Sequence, residues 1–154
     1  MTLTIVAAVG SGVMAGVFFA FSTFVMKGLA ALPDETGMAA MQSINVAAPS
    51  PRFMLPLFGV ALLCLALGVV ALFRLGESYS IYLLVGSALY LVAIVLTGTY
   101  HVPRNNALAS IDPVRPEAAA HWRRYFAEWT RWNHVRTVGP MAAAVVFTVA
   151  LVVG

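Results

Sequence analysis

Four uninterrupted apolar runs constrain this chain more than any other feature, because each is long enough to cross a bilayer. They lie at about residues 3–26, 53–73, 81–100 and 135–153, and a helix needs only about 20 apolar residues to span the hydrocarbon core. In lipid a helix satisfies its own backbone hydrogen bonds. The expected fold is therefore all-α: an integral membrane four-helix bundle, with two short amphipathic helices at the interface. Composition agrees, with only 10% charged residues against about 25% in a typical soluble domain. Residues 1–154 are read as one membrane domain. The first run has no positively charged segment before it and is too long for the apolar core of a signal peptide, so it is read as a retained span.

The connections carry the polarity. Lys27 and Arg52 lie in the first (27–52), and Arg104, Arg115, Arg123, Arg124, Arg131 and Arg136 in or beside the third (101–134), against Arg74 alone in the second. By the positive-inside rule both long connections are cytoplasmic and both termini extracytoplasmic, in a multi-pass protein of the cell inner membrane. The net charge of +3 follows from this topology, and no nucleic-acid motif surrounds the basic residues. Cys64, the single cysteine, sits in an apolar run and is expected to pack there.

Within the first span Ala8, Gly12, Gly16 and Ala20 form a small-residue stripe that permits close helix approach. The stripe suits packing inside the bundle or a homo-oligomer contact through Gly12 and Gly16. Pro33-Asp-Glu35 starts a short helix on which Met38, Met41, Asn45 and Ala48 share a face, until Pro49-Ser-Pro51 ends it. Gln42 and Asn45 either satisfy loop backbone groups or point into a polar pocket. The third span is expected to stop at His101-Val-Pro103. Before the fourth, Trp122, Phe126, Trp129 and Asn133 recur at helical spacing opposite Arg124, Glu128 and Arg131. Such a helix lies on the membrane or caps the bundle, and Pro140 should kink it as it enters the last span.

The stretch Trp129-Thr-Arg-Trp-Asn-His-Val-Arg-Thr137 concentrates chemistry beside a charge-free run. Ionisable groups at such a depth are costly unless paired or wet, so they are functional candidates. His134 can exchange a proton near neutral pH, or be a hydrogen-bonded structural residue. Arg136 can pair with a carboxylate, bind an anionic ligand oxygen, or snorkel to headgroups. Tyr100, His101, Asn105 and Asn106 end the third span at the same membrane face. The expectation is a pocket at the cytoplasmic mouth of the bundle, reached also by Gln42 and Asn45. Trp122, Phe126, Trp129 and Trp132 would roof it for a flat aromatic ligand, or merely anchor the interface. No short metal-ligand motif is present. A metal held by His101 and His134 is the alternative to a metal-free site. Neither a phosphate loop nor a flavin or nicotinamide fingerprint occurs, so no cofactor is expected.

Four strings in order, VMAGVFFAFSTFVM, AMQSIN, HVPRNNAL and WTRWNHVRT, resemble the anthrone oxygenase-like family of small four-span membrane proteins over nearly the whole chain. The resemblance implies an oxygenase that converts an anthrone, or a hydroquinone-like aromatic, to a quinone with O2 and no cofactor. Carried over by motif, His134 is the base, Arg136 and Asn133 stabilise the oxyanion, Asn105 positions the substrate, and Trp129 and Trp132 wall the slot; His101, Gln42 and Asn45 are expected from their placement to bind substrate beside them. Two positions depart from the expected pattern: His101 stands where asparagine is expected, and Val46 where a basic residue is. The first adds a second base or ligand, and the second removes a charge that could bind substrate. The competing reading is a non-enzymatic membrane module, binding a quinone or lipid or serving as a subunit of a larger complex.

Overall fold

A computed structural model describes every residue, Met1–Gly154. It contains no strand. The helices are α1 (Thr2–Ala30), α2 (Asp34–Ala47), α3 (Pro51–Leu72), α4 (Ser80–Ala109) and α5 (Ala118–Val153), and all but α2 are long and apolar enough to cross a membrane. The chain is thus a multi-pass helical membrane protein. The spans form a ring in the order α1, α5, α4, α3, so that α3 closes back on α1. Successive spans run antiparallel, and the two chain ends lie at one face, where Met1 and Gly154 line one groove and Ser78 Oγ donates to the Val153 carbonyl at 2.8 Å.

Two cores divide the bundle along its length. Toward the chain ends Ala7, Met14, Cys64, Leu67, Leu83, Ala143 and Phe147 pack together, and Cys64 is buried as its apolar surroundings suggest. Small residues set the spacing there. A Cβ on Gly139 would come within 2.7 Å of the Leu89 carbonyl oxygen, so α4 and α5 cross backbone to backbone at that level. At the opposite face Met38 and Met41 of α2 bury against Met26, Leu29, Leu108, Trp122 and Trp129. That amphipathic helix therefore caps the bundle with its apolar side. Arg123 pairs with Asp34 at 3.3 Å and Arg104 with Glu128 at 3.4 Å on the exposed side.

Several boundaries differ from expectation. The third span does not stop at His101-Val-Pro103 but runs on to Ala109 through a wider π-helical turn at Thr97–His101. Pro103 is tolerated because it follows that turn directly, where the hydrogen-bond ladder is already shifted. A second π turn, Phe21–Val25, lies in α1. Threonines accompany both: Thr23 Oγ1 donates to the Phe19 carbonyl and Thr97 Oγ1 to the Ala93 carbonyl, each at 2.7 Å. Hydroxyls bonded four residues back loosen a helix and supply donors where the ladder is disturbed. The second amphipathic helix does run on into the last span as expected, the two forming one helix, α5, of 36 residues with Pro140 inside it. At 1.5 Å per residue such a helix is about 54 Å long, well beyond the hydrocarbon thickness, so its N-terminal half stands outside the membrane core. The small-residue stripe is not in the bundle interior: Gly12 and Gly16 are exposed, on a groove shared with Met141 and Ala144 of α5. Ala7, Ser11, Met14 and Phe18 face inward instead.

Candidate functional site

α5 decides which polar residues turn inward. Trp122, Trp129, Arg136, Ala143 and Ala150 recur every seven residues, with Tyr125, Asn133, Pro140 and Phe147 between them, and all are buried. This is the 3.5-residue seam of helices that pack nearly parallel along their length. His134 and Trp132 fall off the seam. His134 is exposed and lines no part of the cavity described below, which removes the geometric basis for the base role expected of it. Trp132 is also exposed and leans on Tyr100, with ring centroids 4.9 Å apart, outside the cavity.

Asn133 and Arg136 form the buried polar centre. Asn133 Nδ2 donates to the Phe18 carbonyl and to Ser22 Oγ, both at 2.8 Å, which ties α5 to α1 at its π turn. Its Oδ1 accepts from Arg136 Nε at 3.1 Å and Nη2 at 2.6 Å. Every hydrogen-bonding group of the Asn133 amide is thereby engaged, so it holds the arginine rather than a ligand. Arg136 Nη1 reaches Thr97 Oγ1 of α4 at 3.4 Å, and Ser22 and Thr137 hydroxyls lie 3.0 Å apart beside this set. The guanidinium is stacked 4.3 Å above the Phe18 ring centroid. Snorkelling to headgroups is excluded by this burial.

A partly open cavity of about 130 Å³ adjoins this centre. Val17, Phe18 and Phe21 of α1, Met41 and Asn45 of α2, Phe53 and Leu57 of α3, Thr97, His101 and Asn105 of α4, and Trp129 and Arg136 of α5 line it. Pro49 and Val102, both exposed, stand at its rim. The indole of Trp129 is the fixed wall. Its Nε1 donates to Asn105 Oδ1 at 3.0 Å, and Tyr125 Oη donates to the same oxygen at 2.9 Å. His101 meets the indole edge-on at 5.1 Å between centroids, and Arg136 Cζ lies 5.3 Å from it on the α5 side.

Three cavity side chains have unspent polar groups. His101 Nδ1 lies 3.2 Å from the Leu96 carbonyl. A carbonyl can only accept, so the tautomer protonated on Nδ1 satisfies this contact and leaves Nε2 its lone pair. That Nε2 is buried and without a partner, as is Asn45 Nδ2. Asn105 has its oxygen used twice, which leaves its amide N–H groups as the donors it can offer. Orphaned buried polar groups are uncommon in folded proteins and require an explanation such as a bound ligand or a catalytic role.

Thus His101, Asn45, Asn105, Trp129 and Arg136 come together as the sequence suggested, while His134 and Trp132 do not. Gln42 is spent elsewhere: its Nε2 donates to the Leu108 and Ile111 carbonyls at 2.9 and 2.8 Å, capping the end of α4. The backbone-satisfying alternative holds for Gln42 and the pocket alternative for Asn45. Trp122 and Phe126 belong to the cap, not the cavity. The histidine pair considered for a metal is not formed, since His101 is buried at the cavity and His134 is on the exposed face. Val46 is 81% exposed, so its departure from the family pattern leaves the cavity unchanged. Ser22, Thr97 and Phe18 were not singled out beforehand. A signal existed in the seam, because stepping back by sevens from the charge-free end of α5 selects Arg136 and Trp129 and passes over His134.

The anthrone oxygenase family model matches residues 52–146, more than half of the chain. The chain belongs to the anthrone oxygenase family. No curated protein and no solved structure matches it. The segment typical of the anthrone oxygenase family contains His101, Asn105, Trp129, Asn133 and Arg136. Phe18, Phe21 and Asn45 lie before it and complete the cavity from α1 and α2.

Proposed function

We propose that the protein is a membrane oxygenase that converts an anthrone-like or hydroquinone-like aromatic to a quinone with O2, using this chain's own residues and no bound cofactor. The observation that supports it is the partnerless Nε2 of His101 at an aromatic-walled cavity that also holds unspent amide donors and a cation. The proposed base is His101 rather than His134, a base particular to this chain because the expected family pattern has asparagine there, so that His101→Asn restores the family residue.

An anthrone methylene is acidic because its carbanion delocalises onto the carbonyl oxygen. In this reading His101 Nε2 takes that proton, and Asn45 and Asn105 N–H groups meet the oxygen as it becomes an enolate. Arg136 adds positive potential, which acts over a longer range in an apolar surround than in water. The electron-rich enolate reduces O2 by one electron, and the two radicals combine at the former methylene carbon. Breaking the O–O bond with loss of the second hydrogen gives the ketone. One anthrone and one O2 thus yield one anthraquinone and one water; a hydroquinone would yield a quinone and hydrogen peroxide. The cavity is close in size to the roughly 150 Å³ engineered cavity known to admit benzene. One ring fills it, and a three-ring body extends through the rim between Pro49 and Val102. The mouth opens at the face carrying the two basic connections, proposed as the cytoplasmic side.

Oxygen uptake by the purified protein with an anthrone and hydroquinone panel tests the reading. His101→Asn keeps polarity but removes the base, and turnover should fall about 10²- to 10⁴-fold, the usual worth of a general base. Wild-type uptake no faster than that of His101→Asn, across the panel, would overturn the oxygenase reading and leave the cavity as a binding site only.

A further inference from the structure

Arg136 is the one fully cationic side chain at the cavity, and the protein supplies it no negative charge. Of the six acidic residues, Asp34, Glu117 and Glu128 pair with surface arginines, and Glu35, Glu77 and Asp112 are exposed. A buried cation inside a membrane bundle is costly unless something compensates it. The Phe18 and Trp129 rings help by cation–π attraction but carry no net charge.

The donor count indicates the shape of the missing partner. A guanidinium has five N–H groups. Nε and Nη2 each give one to Asn133 Oδ1, and Nη1 gives one to Thr97. One N–H on each terminal nitrogen is left without a protein acceptor, and such a pair forms the fork that receives two oxygens of a carboxylate. Asn133, buried with all its groups engaged, fixes the other edge of the guanidinium and so holds that fork in place. Beside it the walls are aromatic, from Phe18, Phe21, Phe53 and Trp129.

We propose that the cavity takes a planar aromatic that is already anionic on entry, a ring carboxylate whose two oxygens dock on the terminal nitrogens of Arg136. This rests on the cavity being the substrate site, and it adds the substrate class. The carboxylate anchors the ring at the α5 side, and the remainder of the ligand lies along Trp129 toward His101 and the amide donors. A neutral anthrone of the same shape leaves the arginine desolvated and uncompensated, and binds more weakly.

Binding of anthraquinone-2-carboxylate and of its methyl ester to the full chain in detergent tests this without turnover, since both are already quinones. The acid should bind about ten-fold tighter or better, as a desolvated, charge-assisted fork contact implies. The advantage should disappear in Arg136→Gln and persist in part in Arg136→Lys. Equal affinities of acid and ester for the wild type overturn the proposal, and that comparison needs no variant to fold. A preference for the acid that survives in a folded Arg136→Gln also overturns it, by placing the anion on surface basic residues. Dodecanoate binding as tightly as the aromatic acid would overturn the aromatic part and mark a fatty-acid site. A clear acid preference together with no oxygen uptake would instead sustain this inference and sink the oxygenase reading.

Discussion

The two ends of the bundle are built from the same four helices on opposite principles. Toward the chain ends the interior is Ala7, Cys64, Leu67, Leu83 and Phe147, and Gly139 brings the backbones of α4 and α5 together. Toward the cap the helices widen into two π turns, and the interior holds Asn133, Arg136, Thr137 and His101. Lipid gives no hydrophobic drive for helix association, so the apolar end depends on close packing and the polar end on hydrogen bonds between helices. The first holds two buried hydroxyls without partners, Ser11 and Ser87, but no charge. The second holds a buried arginine with no carboxylate of the chain beside it, and unpaired polar groups on His101 and Asn45 at a cavity.

Variants can separate the two ends, beginning with the apolar one. Phe147→Ala empties a fully buried site against Gly86, and should cost about 3 kcal/mol, the low end for such truncations because lipid transfer adds little. Ligand affinity per folded molecule should stay at the wild-type value, and a large loss would mean that the ends are coupled. Asn133→Ala should cost roughly 2–3 kcal/mol from the interhelical bonds lost, and in contrast should abolish ligand discrimination because Arg136 loses its support. Denaturation in mixed micelles reads the first quantity and titration the second. Gln42→Ala should cost about 1–2 kcal/mol, through two carbonyls left uncapped at the end of α4, with turnover preserved. His134→Ala should change neither stability nor oxygen uptake by more than about two-fold, as expected for an exposed residue away from the cavity. A loss as large as that expected for His101→Asn would return the base to His134.

Much of the site was visible in the residues. His101, Asn105 and Arg136 stood out because polar side chains at membrane depth are rarely there by chance. What misled was adjacency. Asn133 and His134 are neighbours in sequence, but a step of about 100° per residue separates them, and α5 turns Asn133 inward and His134 outward. Likewise HVPRNNAL reads as a break after His101, since the π turn that lets α4 continue depends on where Thr97 and His101 find carbonyls.

Sequence by itself determined that this is a four-span helical membrane protein, because about 20 apolar residues per run leave a chain no other economical place. It also showed the family, through a match over residues 52–146 that contains HVPRNNAL and WTRWNHVRT. Only the tertiary structure decided which of two neighbouring residues, Asn133 or His134, enters the core, and which of His101 and His134 keeps an unpaired nitrogen at a cavity. Membrane insertion responds to summed hydrophobicity along a segment, whereas a site depends on rotation about the helix axis. Rotation is set by the partners that each face meets, and here the decisive partners are Phe18 and Ser22, more than a hundred residues away in the chain.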